Sequence, residues 1–171
     1  MARPQSPAPA RFRDPRRTKY DFTESILVRC PRCERIAHVQ PAPDEERQGT
    51  PGVFFAPRRL VCRGCGLSRQ TGSQRIALWR SSAGPALDPY FGTPLWLQTE
   101  TRHGWLWAYN LEHLTFLRQF VAASLRERAP WYDTGKKMTV VARLPVWIKS
   151  AKNRDEVLRA VERIRGSVSA G

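Results

Sequence analysis

The stretch CPRCERIAHVQ, residues 30–40, decides the fold, because its Cys-x-x-Cys has a counterpart in CRGCG, residues 62–66. The full spacing is C-x2-C-x28-C-x2-C, and it uses all four cysteines of the chain. One such pair can hold a metal or exchange electrons. Two pairs point to a single ion, because four thiolates complete the tetrahedron that zinc prefers. Two residues between cysteines allow a tight turn that brings both sulfurs to one ion, with turn amides free to donate to them. Cys30, Cys33, Cys62 and Cys65 are therefore the expected ligands of one structural Zn2+. Rubredoxin-like iron needs the same ligands and stays as an alternative. A thiol–disulfide role would explain one pair but not two pairs flanked by strand-like runs. With four protein ligands no position is left for water, which disfavours catalysis at the metal.

The second gap is longer than the roughly 15–20 residues usual for this pattern. The excess coincides with PAPDEERQGTPG, residues 41–52, a polar loop full of breakers. Doubling a loop costs only about 0.6 kcal/mol, against roughly 10–16 kcal/mol for zinc binding in small modules. Pro31 restricts the first knuckle, and Gly66 permits a left-handed residue in the second. Glu34 takes the matching place after Cys33, so the first knuckle is expected to be less regular. Four thiolates around a dication leave a net negative site, which Arg29, Arg32 and Arg63 would offset.

Outward from the cysteines, short strands are expected on both sides of each knuckle: SILVR and RIAHVQ around the first, VFFA, RRLV and LSRQT around the second, then RIALW at 75–79. A strand–knuckle–strand unit repeated twice is a zinc ribbon. Residues 1–22 carry four prolines, six basic residues and two aspartates without apolar periodicity, the signature of a disordered basic tail. Residues 81–93 read as loop. PLWLQTETRHGWLWAYN, 94–110, reads as a hairpin with Gly104 at the turn. Its aromatic side, Trp96, Trp105, Trp107 and Tyr109, suits either a core under a helix or a stacking platform for bases.

Asn110 is placed to cap a helix from Leu111 to about Arg128, stopped by Pro130. A second helical run spans about 136–151, with Met138, Val141, Leu144 and Ile148 on one stripe and a break at Pro145. Asn153 and Glu156 form a capping-box-like start for a last helix, with Gly166 as its stop. The domains read as a tail (1–22), a ribbon (23–80), and a hairpin plus C-terminal helices packed with the ribbon (81–171). The fold class is α+β.

The chain has 171 residues and a net charge of +14, with 29 basic residues against 15 acidic. A polyanion partner is one reading of that charge. Coding bias is another, since arginine dominates over lysine. No apolar run approaches the roughly 20 residues of a membrane span, and no apolar leader segment is seen, so a cytoplasmic, membrane-free protein is expected. Arg58, Arg59, Arg63, Lys136, Lys137, Lys149, Lys152, Arg159 and Arg163 are the candidate contacts to nucleic acid. The three histidines, His38, His103 and His113, are too dispersed to be ligands. TGKKMT at 134–139 lacks the first glycine of a phosphate loop, and no nucleophile elbow is present.

WLWAYNLEHLTFLRQFVAASLRER followed by RLPVWIKSAKNRDEVLRAVERIR, behind the CPRC and CRGC knuckles, resembles small bacterial proteins with a transcription-factor-IIB-type zinc ribbon. The resemblance spans roughly residues 25–165. It implies the same four cysteine ligands and a bacterial, cytoplasmic setting, and it brings no established activity. Glu34 departs from the knuckle glycine of that pattern. The expectation is a non-catalytic protein that binds DNA or RNA through basic surfaces. The alternatives are an adaptor that docks a protein through the ribbon or the C-terminal helices, and a thiol redox enzyme.

Overall fold

The computed structural model describes residues 11–43, 56–71, 84–126 and 139–169. Its fold is α+β, as the sequence implies. The ribbon is an antiparallel sheet of β2 (Ile26–Arg29), β3 (Ile36–Pro41), β4 (Arg58–Val61) and β5 (Ser68–Gln70), in that order. Both knuckles sit at the same end of it, between β2 and β3 and between β4 and β5. Residues 44–52 of the expected loop, residues 53–55 of the expected VFFA strand, the strand expected at 75–79, Pro130, Lys136, Lys137 and Met138 lie outside the described residues.

Residues 94–101 serve two sheets. Leu95 bridges Val28 of β2, with Arg29 N–H donating to Pro94 C=O (2.9 Å) and Trp96 N–H to Leu27 C=O (2.9 Å). Gln98 N–H then bonds Trp96 C=O (3.0 Å), a tight bend that interrupts the strand. Beyond it, β6 (Gln98–Thr101) pairs with β7 (Gly104–Trp107). Gly104 has φ +127°, a value that only glycine adopts readily. The bend corrects the expected single aromatic face. Trp96 stays with the ribbon, while Trp107 tilts against buried Tyr109 (5.1 Å between ring centroids) and meets His113 edge-on (5.9 Å).

Helix α1 (Leu111–Ala122) begins at Asn110, whose side-chain oxygen accepts from His113 N–H (2.8 Å). The same amide donates to Phe22 C=O (2.8 Å) and Ser25 C=O (3.1 Å), tying the helix start to the ribbon's entry. The helix is shorter than expected. Arg126 folds back and donates to the carbonyls of Phe120 (3.1 Å) and Val121 (3.2 Å), satisfying groups that the helix end leaves open. Leu125–Arg126 instead forms β8, parallel to β1 (Arg11–Phe12).

Pro145 divides the next helical run into α2 (Val140–Arg143) and α3 (Val146–Lys149). The last helix, α4 (Arg154–Ser169), runs through Gly166 rather than stopping there; that glycine is exposed and a side chain would meet nothing. The expected capping box is replaced. Buried Asn153 donates to Trp147 C=O (3.0 Å), and Glu156 pairs with Arg102 (2.8 Å) at the hairpin turn.

The basic tail also needs correction from residue 11 onward. Phe12 makes edge contacts with Phe116 (5.5 Å) and Phe120 (5.3 Å) of α1. Phe22, in a short 3-10 turn (Lys19–Phe22), is fully buried and stacked on His113 (4.6 Å). Buried Asp14 accepts from Thr139 Oγ1 (3.2 Å). Two aromatic anchors ten positions apart leave no period to read, yet burying each large ring is worth roughly 1.5–3 kcal/mol. One core joins all parts: Ile26, Val28, Val39 and Leu60 of the ribbon, Leu95, Leu97 and Leu106 of the hairpin, Leu117 and Val121 of α1, and Val157, Val161 and Ile164 of α4.

Candidate metal centre

Each knuckle is a turn between two strands, and the two turns carry the same hydrogen bonds. Cys30 N–H donates to Arg35 C=O (2.8 Å) and Glu34 N–H to Cys30 C=O (2.9 Å). In the second knuckle Cys62 N–H donates to Leu67 C=O (2.9 Å) and Gly66 N–H to Cys62 C=O (3.0 Å). Glu34 adopts φ +60° where Gly66 adopts φ +70°. The first knuckle is thus as regular as the second, contrary to the expectation from its missing glycine. The left-handed backbone costs a side-chain-bearing residue roughly 1–2 kcal/mol, and the paired turns impose it all the same.

The turns bring Cys30, Cys33, Cys62 and Cys65 together, with all four sulfurs within 4.8 Å of one another. Sγ of Cys30 lies 3.6 Å from that of Cys65, and Sγ of Cys33 lies 3.5 Å from that of Cys62. A metal–sulfur bond of about 2.3 Å in a tetrahedron sets sulfur–sulfur edges of about 3.8 Å. The set can therefore hold one metal ion. Arg32 N–H points at Sγ of Cys30 (3.4 Å), the amide-to-sulfur bond that such turns supply.

Two of the thiols are poised for it. The Arg35 amide, donating to Cys33, holds that thiol down at about 6 despite some burial. Cys30 is also lowered: burial opposes the charge, but the amides of Arg32 and Cys33 and the neighbouring sulfurs overcome it. Cys65 goes the other way, up to about 11. The Leu67 amide favours its thiolate, but burial and the three other sulfurs prevail. Four sulfurs this close cannot all carry charge without a cation among them.

Arg35 is the residue that the sequence reading passed over. Its guanidinium donates to Gly64 C=O, linking the first knuckle to the second. A hydrogen bond to Cys33 and that thiolate's charge hold Arg35 above its ordinary value. A side chain at Gly64 would start 2.8 Å from Arg35 Cζ, so only glycine leaves room for the clasp. The signal in the sequence was slight: an arginine two places after one knuckle and a glycine inside the other.

The proposed nucleic-acid contacts do not stay together. Arg58 is 0% exposed. It donates to Thr23 C=O (2.6 Å) and lies over the Tyr90 ring (4.6 Å), so it cannot meet a phosphate. β4 turns this side chain to the same side as Leu60, into the core. Lys149 is half-buried, and its ammonium donates to Ala142 C=O (2.8 Å), bracing α3 against α2; burial lowers its pKa. Arg59 is half-buried and donates to Ser68 Oγ (3.0 Å). Arg63 is exposed at the second knuckle, close enough that its charge, after burial, helps lower His38. Lys152, Arg159 and Arg163 are exposed, the latter two on α4. Among the described residues, no helix is long and apolar enough to cross a membrane. A scan of family models and searches of curated proteins and of solved structures find no match to this chain.

Proposed function

We propose that the chain is a non-catalytic zinc-ribbon protein that binds nucleic acid through its basic surface. The observation that carries this is the charge of the ribbon itself. Its described residues hold seven arginines and two glutamates. Arg58 is buried and Arg35 is engaged across the knuckles, yet Arg29, Arg32, Arg63 and Arg69 are exposed, and no ion pair of theirs is found among the described residues. A metal-thiolate centre absorbs part of that charge, and the remainder faces solvent, where phosphates compete well for guanidinium groups.

Zinc is the reading for the ion because four thiolates without an open position suit a structural zinc site. The sulfur pairs in closest approach run between knuckles, Cys30 with Cys65 and Cys33 with Cys62. A redox Cys-x-x-Cys would close within a knuckle, so the thiol-enzyme alternative draws no support from this arrangement. The adaptor alternative has one observation in its favour: Val146, at the start of α3, is 83% exposed.

The test is metal analysis of the purified protein followed by anisotropy titration with labelled DNA and RNA over a salt series. One zinc per chain and binding that weakens by about 0.7–0.9 decades per decade of salt for each phosphate contacted support the proposal. No binding at low salt removes it. Loss of a stoichiometric protein partner on Val146→Asp, with no nucleic-acid binding, favours the adaptor.

A further inference from the structure

We infer that the outer face of the ribbon sheet is a site for single-stranded nucleic acid, an inference that rests on the nucleic-acid reading above and names where and in what form the ligand binds. The register decides which side chains share that face, because directly opposed residues of an antiparallel pair point to the same side. Ile26 opposes Val39 and Val39 opposes Leu60, and all three are buried on the inner side. The alternate positions therefore form the outer side. There Arg29 opposes Ile36, and Arg59 stands between Gln40 and Gln70. The bridge from Val28 to Leu95 adds residues 94–97 beside β2 and sets Trp96 next to Leu27 on this same side. The Arg29 guanidinium lies over the Trp96 ring, 5.3 Å from its centroid.

This surface has the parts that unpaired nucleotides need. Trp96 with Arg29 above it offers an aromatic ring and a planar cation, both of which stack bases. Arg59, exposed in part and braced by Ser68, supplies a second cation across the sheet. Arg29 and Arg59 are two strands apart sideways, roughly 10 Å, and four positions apart along β3, roughly 13 Å. One nucleotide cannot touch both, so the ligand is an extended chain with several phosphates. A broad sheet face does not enter a duplex groove, which admits one helix or a two-stranded ribbon. Neither arginine has a carboxylate partner among the described residues, whereas Arg102, Arg118 and Arg17 elsewhere are paired with Glu156, Glu162 and Glu112.

The experiment compares a labelled 12-nucleotide single strand with the matched duplex by anisotropy, using the full metal-loaded chain. The variants are Arg29→Glu with Arg59→Glu, and, as the control surface, Arg118→Glu on α1 with Arg165→Glu on α4, both exposed and outside the candidate contacts. The expected result is preference for the single strand, at least tenfold weaker binding and a shallower salt slope for the ribbon variant, and a change within twofold for the helix variant. If the ribbon variant loses its metal, Arg29→Gln with Arg59→Gln replaces it, with at least a threefold loss expected. Preference for duplex, or wild-type affinity in the ribbon variant, overturns this inference and leaves nucleic-acid binding standing. Absence of any binding by the wild type at low salt ends both.

Discussion

At one end of this molecule four sulfurs within 4.8 Å of one another join two polar turns; at the other, Leu97, Leu106, Leu117, Val157 and Val161 close on each other as an apolar interior. The knuckle end has little to bury: every residue of β5 is exposed, and Cys33 and Cys65 are only partly covered. The helix-covered end spreads its stabilisation over many side chains. The contrast teaches that the two ends fail differently. One relies on four sulfurs able to hold a single metal ion, the other on no single group.

Removing the ion tests that contrast most severely. Chelation, or Cys62→Ser, should cost the ribbon on the order of 10 kcal/mol of binding energy. Hydrogen exchange should then show amides of β3, β4 and β5 losing protection while α1 and α4 keep theirs. Simultaneous loss at both ends would show that they fold as one unit. At the apolar end, Leu97→Ala should cost about 2–5 kcal/mol in urea unfolding, with metal content unchanged.

Acid should act next, and again at the helical end. Burial, then the charge of Arg17, pushes His113 down to about 3, against an ordinary value near 6.5. Below that ordinary value the unfolded chain binds a proton that the folded one refuses. Stability therefore falls as pH drops from about 6.5 toward 3, by at most about 1.4 kcal/mol per pH unit from this group. Unfolding of His113→Gln alongside the wild type between pH 6.5 and 4.5 isolates the effect; parallel pH profiles would refute it. The smallest effect compares the knuckles with each other. Glu34→Gly relieves about 1–2 kcal/mol of left-handed strain and gives back about 0.5–1 in backbone entropy. A net gain near 0.5–1 kcal/mol is expected, read as a higher urea midpoint, while Gly66→Ala should lower it.

The cysteines and their strands were legible because ligand spacing and alternating burial are local patterns. Asn110 and Pro145 were legible for the same reason: a cap and a missing N–H act on their own turn. What escaped depended on partners distant in the chain. Phe12 and Phe22 are anchored by α1, about a hundred residues on. Arg58 looked like a surface cation, because only Thr23 and Tyr90 reveal why it is tolerated inside. Arg126 ends α1 by bonding its carbonyls, a role that helical periodicity does not encode. The bend after Trp96 broke an alternation that otherwise ran cleanly through the hairpin.

The bond from Leu27 N–H to Tyr109 C=O (2.8 Å), together with that from Arg29 to Pro94, has a consequence for synthesis on the ribosome. The knuckles and all four ribbon strands emerge before residues 94–109 exist. Until those arrive, the nascent ribbon presents β2 as a bare edge, open to pairing with a neighbouring chain. Metal capture can come early, but protection from misassembly waits for the hairpin.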